Sequence, residues 1–180
     1  MYDYDHAPER DLIRRARRGD AKAFARLYSE IYRDLYRFAL CMLRHPQEAE
    51  DAVSEAVIAA YENITSLRKE SSFKSWIFTI LNNACRRALT KRSRERKITD
   101  DADTYPGVAA GAEPDYAQRE DIRRALELLD EEERMIVAFS VFGGYRSEEI
   151  AEMLNKNASS VRSRKKRALE KMRVSLGSTV

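Results

Sequence analysis

Apolar residues along most of this chain recur at three- and four-residue spacing, the period of a helix with one buried face. The longest such stripe is Phe24, Leu27, Tyr28, Ile31, Leu35, Phe38, Ala39 and Met42. A shorter helix precedes it over residues 11–16, with Gly19-Asp20 as the break. His45-Pro46 ends the long one, because proline restricts the residue before it, and His45 reads as a loop residue. A third helix opens at Pro46 or Gln47 and buries Ala49, Val53, Ala56, Val57, Ala60 and Tyr61. Residues 64–72 show no apolar period and read as a loop, whose Ser71 or Ser72 can cap the next helix. That helix carries a stripe of Phe73, Trp76, Ile77, Ile80, Leu81 and Ala84.

The pattern resumes after residue 116. Ile122, Ala125, Leu126 and Leu129 mark one helix; Met135, Ile136, Ala138, Phe139 and Phe142 mark another, ended by Gly143-Gly144. A short helix over residues 147–154 then meets Asn155, a residue that tolerates the left-handed conformation. Asn157 can cap a last helix containing Val161, Ala168, Leu169 and Met172. Short helix, tight turn and second helix form a helix-turn-helix. Ala151 is small where the two helices should cross, and Val161, ten residues on, can plug their shared core. Ser159, Ser160, Arg162, Ser163, Arg164, Lys166 and Arg167 fall in the first turns of the second helix, the part that enters a major groove. Arginine there can read guanine bidentately.

Composition agrees with an all-α chain. Only 6 Gly and 4 Pro punctuate 180 residues. Lys and Arg number 33 against 30 Asp and Glu, a net charge of +3 that hides strong segregation. Residues 86–97 hold seven basic residues and one acid; so do residues 158–174. Residues 98–116 between them hold five acids, no base, two of the prolines and two of the glycines, which reads as a linker. The expected organisation is therefore two small helical domains, 10–95 and 117–176, joined by a flexible acidic linker, 96–116. A tether of this length spans at most about 65 Å, enough for about two turns of B-DNA. Basic patches on both domains favour a long polyanion as partner.

Two further features bear on chemistry. Glu48, Asp51, Glu55 and Glu62 give the third helix an acidic outer face, read either as solvated or as docking onto a basic helix of a partner. Asn82 and Asn83 sit in mid-helix, where asparagine is a poor former; a tertiary hydrogen bond or contact with base edges would explain them. Two His and 2 Cys make a structural metal cage unlikely. No phosphate loop or Ser-His-Asp set suggests an enzyme. No apolar run approaches the ~20 residues of a membrane span, and the N-terminus lacks a signal-peptide core. No cofactor or metal is expected, no membrane insertion, and a cytoplasmic location.

Two stretches resemble bacterial sigma factors of the extracytoplasmic-function (ECF) class. The first is Gln47-Glu48-Ala49-Glu50-Asp51-Ala52-Val53-Ser54-Glu55-Ala56 with Tyr61 and Ser71-Ser72-Phe73-Lys74-Ser75-Trp76-Ile77-Phe78-Thr79-Ile80-Leu81-Asn82-Asn83. The second joins residues 126–134, 148–154 and 161–168. The resemblance implies a subunit that gives core RNA polymerase its promoter specificity. Glu50, Asp51, Ser54 and Glu55 would dock on the clamp helices of the polymerase largest subunit. Ser71, Ser72, Lys74, Trp76, Asn82, Asn83, Arg86 and Arg87 would engage the downstream promoter element and help open the duplex, and the last helix would read the upstream element. A cognate anti-sigma factor is implied as a further partner. The sequence departs from the family pattern at Arg146, where a Ser or Thr cap is frequent and capping would shift to Ser147. It departs again at Asn155, in place of the turn glycine, at Lys166, and at Ala52 and Ala56, which flank the docking motif. The alternative is a stand-alone helix-turn-helix regulator that never joins polymerase; it leaves the acidic helix and the Trp76–Asn83 helix without a role.

Overall fold

A computed structural model describes residues 2–67, 73–98 and 116–177, with the side chains of 96–98 and 116–120 left aside. The described residues form eight α-helices: α1 (Glu9–Ala16), α2 (Ala21–Leu43), α3 (Pro46–Glu62), α4 (Phe73–Ile98), α5 (Tyr116–Glu127), α6 (Glu131–Val141), α7 (Ser147–Leu154) and α8 (Ala158–Gly177). A single 3-10 turn, Ile64–Ser66, follows α3. Ser71, Ser72 and most of the acidic linker, residues 99–115, lie outside the described residues.

Local chemistry sets the boundaries. Asp20 caps α2 by accepting from the backbone N–H groups of Lys22 and Ala23, and Gly19 precedes it at φ 88°. Pro46 is the first residue of α3, where its missing N–H is harmless. His45, expected only to fill a loop, is the cap of α3: its ring nitrogen accepts from Glu48 N–H. Asp130 and Glu133 form a capping box that opens α6. At α7 the expected shift of the cap to Ser147 does not occur, because the Glu149 carboxylate accepts the Arg146 backbone N–H at 2.8 Å and fixes Arg146 as the cap position. Asn155 takes the left-handed conformation, φ 51°, and Asn157 caps α8 through Ser159 N–H at 2.8 Å, both as the pattern predicts.

In the first half, α2, α3 and α4 pack together, with α1 against α2. In the second half α8 is packed by α5, α6 and α7. The halves are not separate cores. α2 packs on α6, and one continuous hydrophobic cluster runs from Leu12 to Val161. At the junction the rings of Phe38 and Phe139 lie 4.9 Å apart, Phe38 and Phe78 5.5 Å, Phe139 and Tyr145 5.7 Å, and Phe78 and Tyr145 6.1 Å, all edge-to-face. Each such pair contributes about 0.5–1.5 kcal/mol beyond its area. Cys41 Sγ on α2 also meets the Arg134 carbonyl of α6 at 3.9 Å.

Gly143 makes that junction possible. A Cβ there would stand 2.5 Å from two Tyr145 ring carbons and 2.6 Å from the Phe139 carbonyl oxygen. Gly143→Ala therefore pushes Tyr145 out of its site. The expected loss is about 1–3 kcal/mol, as for overpacked cores, read as a lower thermal unfolding midpoint.

Candidate nucleic-acid interface

Three helix faces carry the predicted chemistry. On α3, Glu50, Asp51, Ser54 and Glu55 are all exposed, one after another along the outer side of the helix. Buried Ala49, Ala52, Val53, Ala56 and Ala60 turn the opposite side inward. Two of the acids on this helix are tied to α4. Glu48 Oε2 accepts from Arg92 at 3.1 Å in a partly buried pair that also reaches the Leu43 carbonyl. Glu55 Oε1 accepts from Arg87 at 2.5 Å with both side chains exposed. Glu50 and Asp51 stay on the open side.

On α4, Asn83, Arg86, Arg87, Thr90, Lys91, Arg94 and Glu95 line one open, strongly basic groove. Trp76 is half-buried and tilted against Phe73 at 6.3 Å. Lys74 lies 5.8 Å over the Phe78 ring and 3.9 Å from Asp34, facing α2. Asn82 and Asn83, adjacent in sequence, have opposite fates: Asn83 is exposed beside the arginines, whereas Asn82 is 7% exposed. Asn82 Oδ1 has no hydrogen-bond partner among the described residues, so the tertiary bond expected of it is absent at that atom.

On α8 the outward strip is Ser159, Ser163 and Lys166, flanked by Arg162 on the α7 side and by Ser160 and Arg167 on the other. Val161 and Ala168 face the core, and Ala151 of α7 lies buried opposite, the predicted helix crossing. Arg164 departs from the sequence expectation. Its guanidinium is turned back onto the start of α6, 3.5 Å from Asp130 Oδ2 and 3.5 Å from Glu132 Oε2. Lys156 and Lys171 join the same acidic helix start, through Glu132 at 3.6 Å and Glu133 at 2.7 Å. The sequence pattern does not distinguish the acidic residues at 130–133, since acids in a first helical turn are ordinary. Arg162 instead reaches Glu148 Oε1 at 2.6 Å. Among the described residues no group of His, Cys, Asp and Glu is placed to hold a metal, and no helix is long and apolar enough to cross a membrane.

The Sigma-70 region 2 family matches residues 27–95, which take in α3 and most of α4, and the Sigma-70 region 4 family matches residues 119–172, which take in the helix-turn-helix. An ECF RNA polymerase sigma factor of Mycobacterium tuberculosis, SigM, is 31% identical over 159 residues, 88% of this chain and 80% of its own length. The chain belongs to the ECF sigma factors. The RNA polymerase sigma factor SigV of Bacillus subtilis is 30% identical over 79% of this chain and 84% of its own. Among solved structures, the sigma factor RpoE of Bartonella quintana, in complex with the anti-sigma factor NepR, superposes with a TM-score of 0.76 at 24% identity, covering 87% of this chain and 98% of that one. CnrH with the cytosolic domain of CnrY superposes at 0.68 and 20% identity, covering 99% and 100%. Both share the all-helical fold. As a sigma factor, the chain binds core RNA polymerase and directs it to promoters. The stand-alone regulator is set aside with that assignment.

Proposed function

We propose that the free sigma factor is held closed and that joining polymerase separates its two halves, so that the groove of α4 and the outward strip of α8 engage two promoter elements at once. The observation that carries this is the shared aromatic junction, Phe38 and Phe78 against Phe139 and Tyr145. Two helices packed that closely have axes about 8–10 Å apart, which keeps the two basic faces on one small body. Tyr145 Oη is buried there without a partner among the described residues, and so is Asn82 Oδ1, one turn beyond Phe78. A buried unpaired polar atom costs about 1–3 kcal/mol, and opening would return both to water or to DNA. In the open form Asn82 would then join Asn83, Arg86 and Arg87, with Ser71, Ser72, Lys74 and Trp76, in holding unstacked bases.

In this reading Glu50, Asp51, Ser54 and Glu55 dock on a basic helix of polymerase, and Ser159, Ser160, Arg162, Ser163, Lys166 and Arg167 face the upstream element. An anti-sigma factor holds the closed form, as the complexes of the two similar structures suggest by analogy. The protein works in the cytoplasm and does no covalent chemistry; binding energy alone drives strand opening.

Reconstituted transcription tests the scheme. Core polymerase with the full chain should initiate at specific sites in a genomic fragment library, and either half alone should not. Asp51→Lys should weaken capture of core polymerase at least tenfold, since a fixed charge opposite a basic helix contributes about 1.5 kcal/mol or more. Equal initiation by one half, or capture untouched by Asp51→Lys, would remove the scheme.

A further inference from the structure

The contact between Arg162 and Glu148 joins the two helices of the helix-turn-helix at their solvent face. Arg162 NH2 donates to Glu148 Oε1 at 2.6 Å across 14 residues of sequence. Both side chains remain more than half exposed, 64% and 56%. An ion pair in that setting adds little to folding, about 0–1 kcal/mol, and the helix pair already has its core in Ile150, Ala151 and Val161. What the pair does determine is where a long, rotatable guanidinium points.

The backbone that carries Glu148 is pinned at both ends. Its helix is fixed at the front by the Glu149–Arg146 bond at 2.8 Å and at the back by left-handed Asn155. From the other end of α7, Lys156 N–H donates to the Ala151 carbonyl at 2.8 Å. The carboxylate of Glu148 is kept below its ordinary pKa, chiefly by the bond from Arg162; like any glutamate it is charged at neutral pH. The two arginines of α8 are thus sorted. Arg164 is drawn away from the outward strip by Asp130 and Glu132, whereas Arg162 is fixed at the strip's α7 edge, beside Ser159, Ser163 and Lys166.

We propose that Glu148 is a positioning residue for promoter reading: its carboxylate presets the Arg162 guanidinium for one base pair of the upstream element, so that discrimination there is set by α7 as well as by α8. The proposal rests on the reading that the α8 strip enters the major groove. A preset guanidinium loses less rotamer freedom on meeting a guanine edge, and its planar fork meets that edge in one orientation. With α8 in the groove, the same carboxylate adds a negative charge at the solvent face of the helix pair, which opposes the polyanion. Glu148 therefore sharpens selection while it weakens non-specific binding, and these two effects have opposite signs.

That sign difference makes the test. Holoenzyme carrying the full chain is used to select from a promoter library randomised over the upstream element, and its affinity for non-promoter duplex is measured alongside. Arg162→Ala should flatten the preference at one position. Glu148→Ala should flatten the same position about five- to tenfold, and the double variant should be no flatter than Arg162→Ala. Glu148→Gln, which keeps an acceptor oxygen, should recover part of the preference. Binding of Glu148→Ala to non-promoter duplex should be unchanged or rise about two- to threefold as the repulsive charge goes. If Arg162→Ala flattens no position, the groove reading falls and the proposal with it. If Arg162→Ala flattens a position that Glu148→Ala leaves sharp, the proposal alone is overturned. A uniform loss across promoter and non-promoter DNA with Glu148→Ala would also overturn it, since that is the mark of a damaged fold.

Discussion

Phe139→Ala should open the molecule without unfolding it, and Cys41 should report the opening. Phe139 is 1% exposed and touches both Phe38 and Tyr145. Truncating a buried phenylalanine to alanine costs about 3–5 kcal/mol. Here the loss falls on the junction between α2 and α6, while α2, α3 and α4 still hold one another. Cys41 lies at that junction, 2% exposed, its thiol pushed up to about 12 by burial. The thiolate is the reactive species, so in the closed form it is both covered and protonated. Once the halves part, water reaches the sulfur, its pKa falls towards the ordinary value, and alkylation should speed up on the order of 100-fold, matching about 3 kcal/mol of lost closure. Cys85 is the internal reference. It is buried on α4, its thiol also pushed up to about 12, chiefly by burial and further by the neighbouring Cys41 and Glu55, and it sits on a helix that α2 and α3 hold in the first half. Peptide mapping after a maleimide pulse should show Cys41 labelled and Cys85 protected. Equal labelling of both would mean global unfolding, and labelling of neither would mean that the junction does not depend on Phe139. Wild-type protein bound to core polymerase should show the Cys41-selective pattern without any substitution.

The elements that were legible from the pattern are those whose stability is local. The break at Gly19-Asp20, the left-handed Asn155 and the Asn157 cap each follow from a side chain acting on its own turn, whereas the α3 stripe holds through Ala49, Val53, Ala56 and Ala60 but not at Tyr61, which is 43% exposed. What the pattern missed depends on contacts between distant segments. A single three-and-four stripe along α4 passes over Phe78, because such a stripe describes only one buried side. α4 has a second buried side where Phe78 meets Tyr145, and this same side takes in Asn82. Residues 64–72 looked structureless, yet Ile64 and Leu67 are buried, anchoring the end of α3 through apolar contacts too few to make a period. His45 reads as a loop residue because it precedes the helix-ending Pro46; its ring nitrogen is nevertheless an acceptor and sits where α3 needs one. The site was legible by residue type and blurred by direction: the basic run in α8 was evident, but only the acids of α6 and α7 decide which arginine faces outward.

That directionality yields the second large effect. Lys166→Glu places a negative charge at the far end of the outward strip of α8, one turn beyond Ser163. It removes one cationic contact with the polyanion and adds a repulsion in its place. Promoter affinity of the holoenzyme should fall about 100-fold, equivalent to about 2.7 kcal/mol, and the slope of log affinity against log salt should shrink by about one. Capture of core polymerase should be untouched, because the acids proposed to dock there are on α3 in the other half. Arg164→Ala is the matched contrast. Its guanidinium is already engaged by Asp130 and Glu132, so its loss should reduce binding only a few-fold and equally for all promoter variants, as for a contact that carries no sequence information. If instead Arg164→Ala flattens one promoter position while Lys166→Glu is tolerated, α8 is rotated in the groove relative to the face that its packing on α6 and α7 leaves exposed. Arg164 would then have released Asp130 and Glu132 to reach a base edge, a side-chain change at a surface ion pair that leaves Val161 and Ala168 in the core.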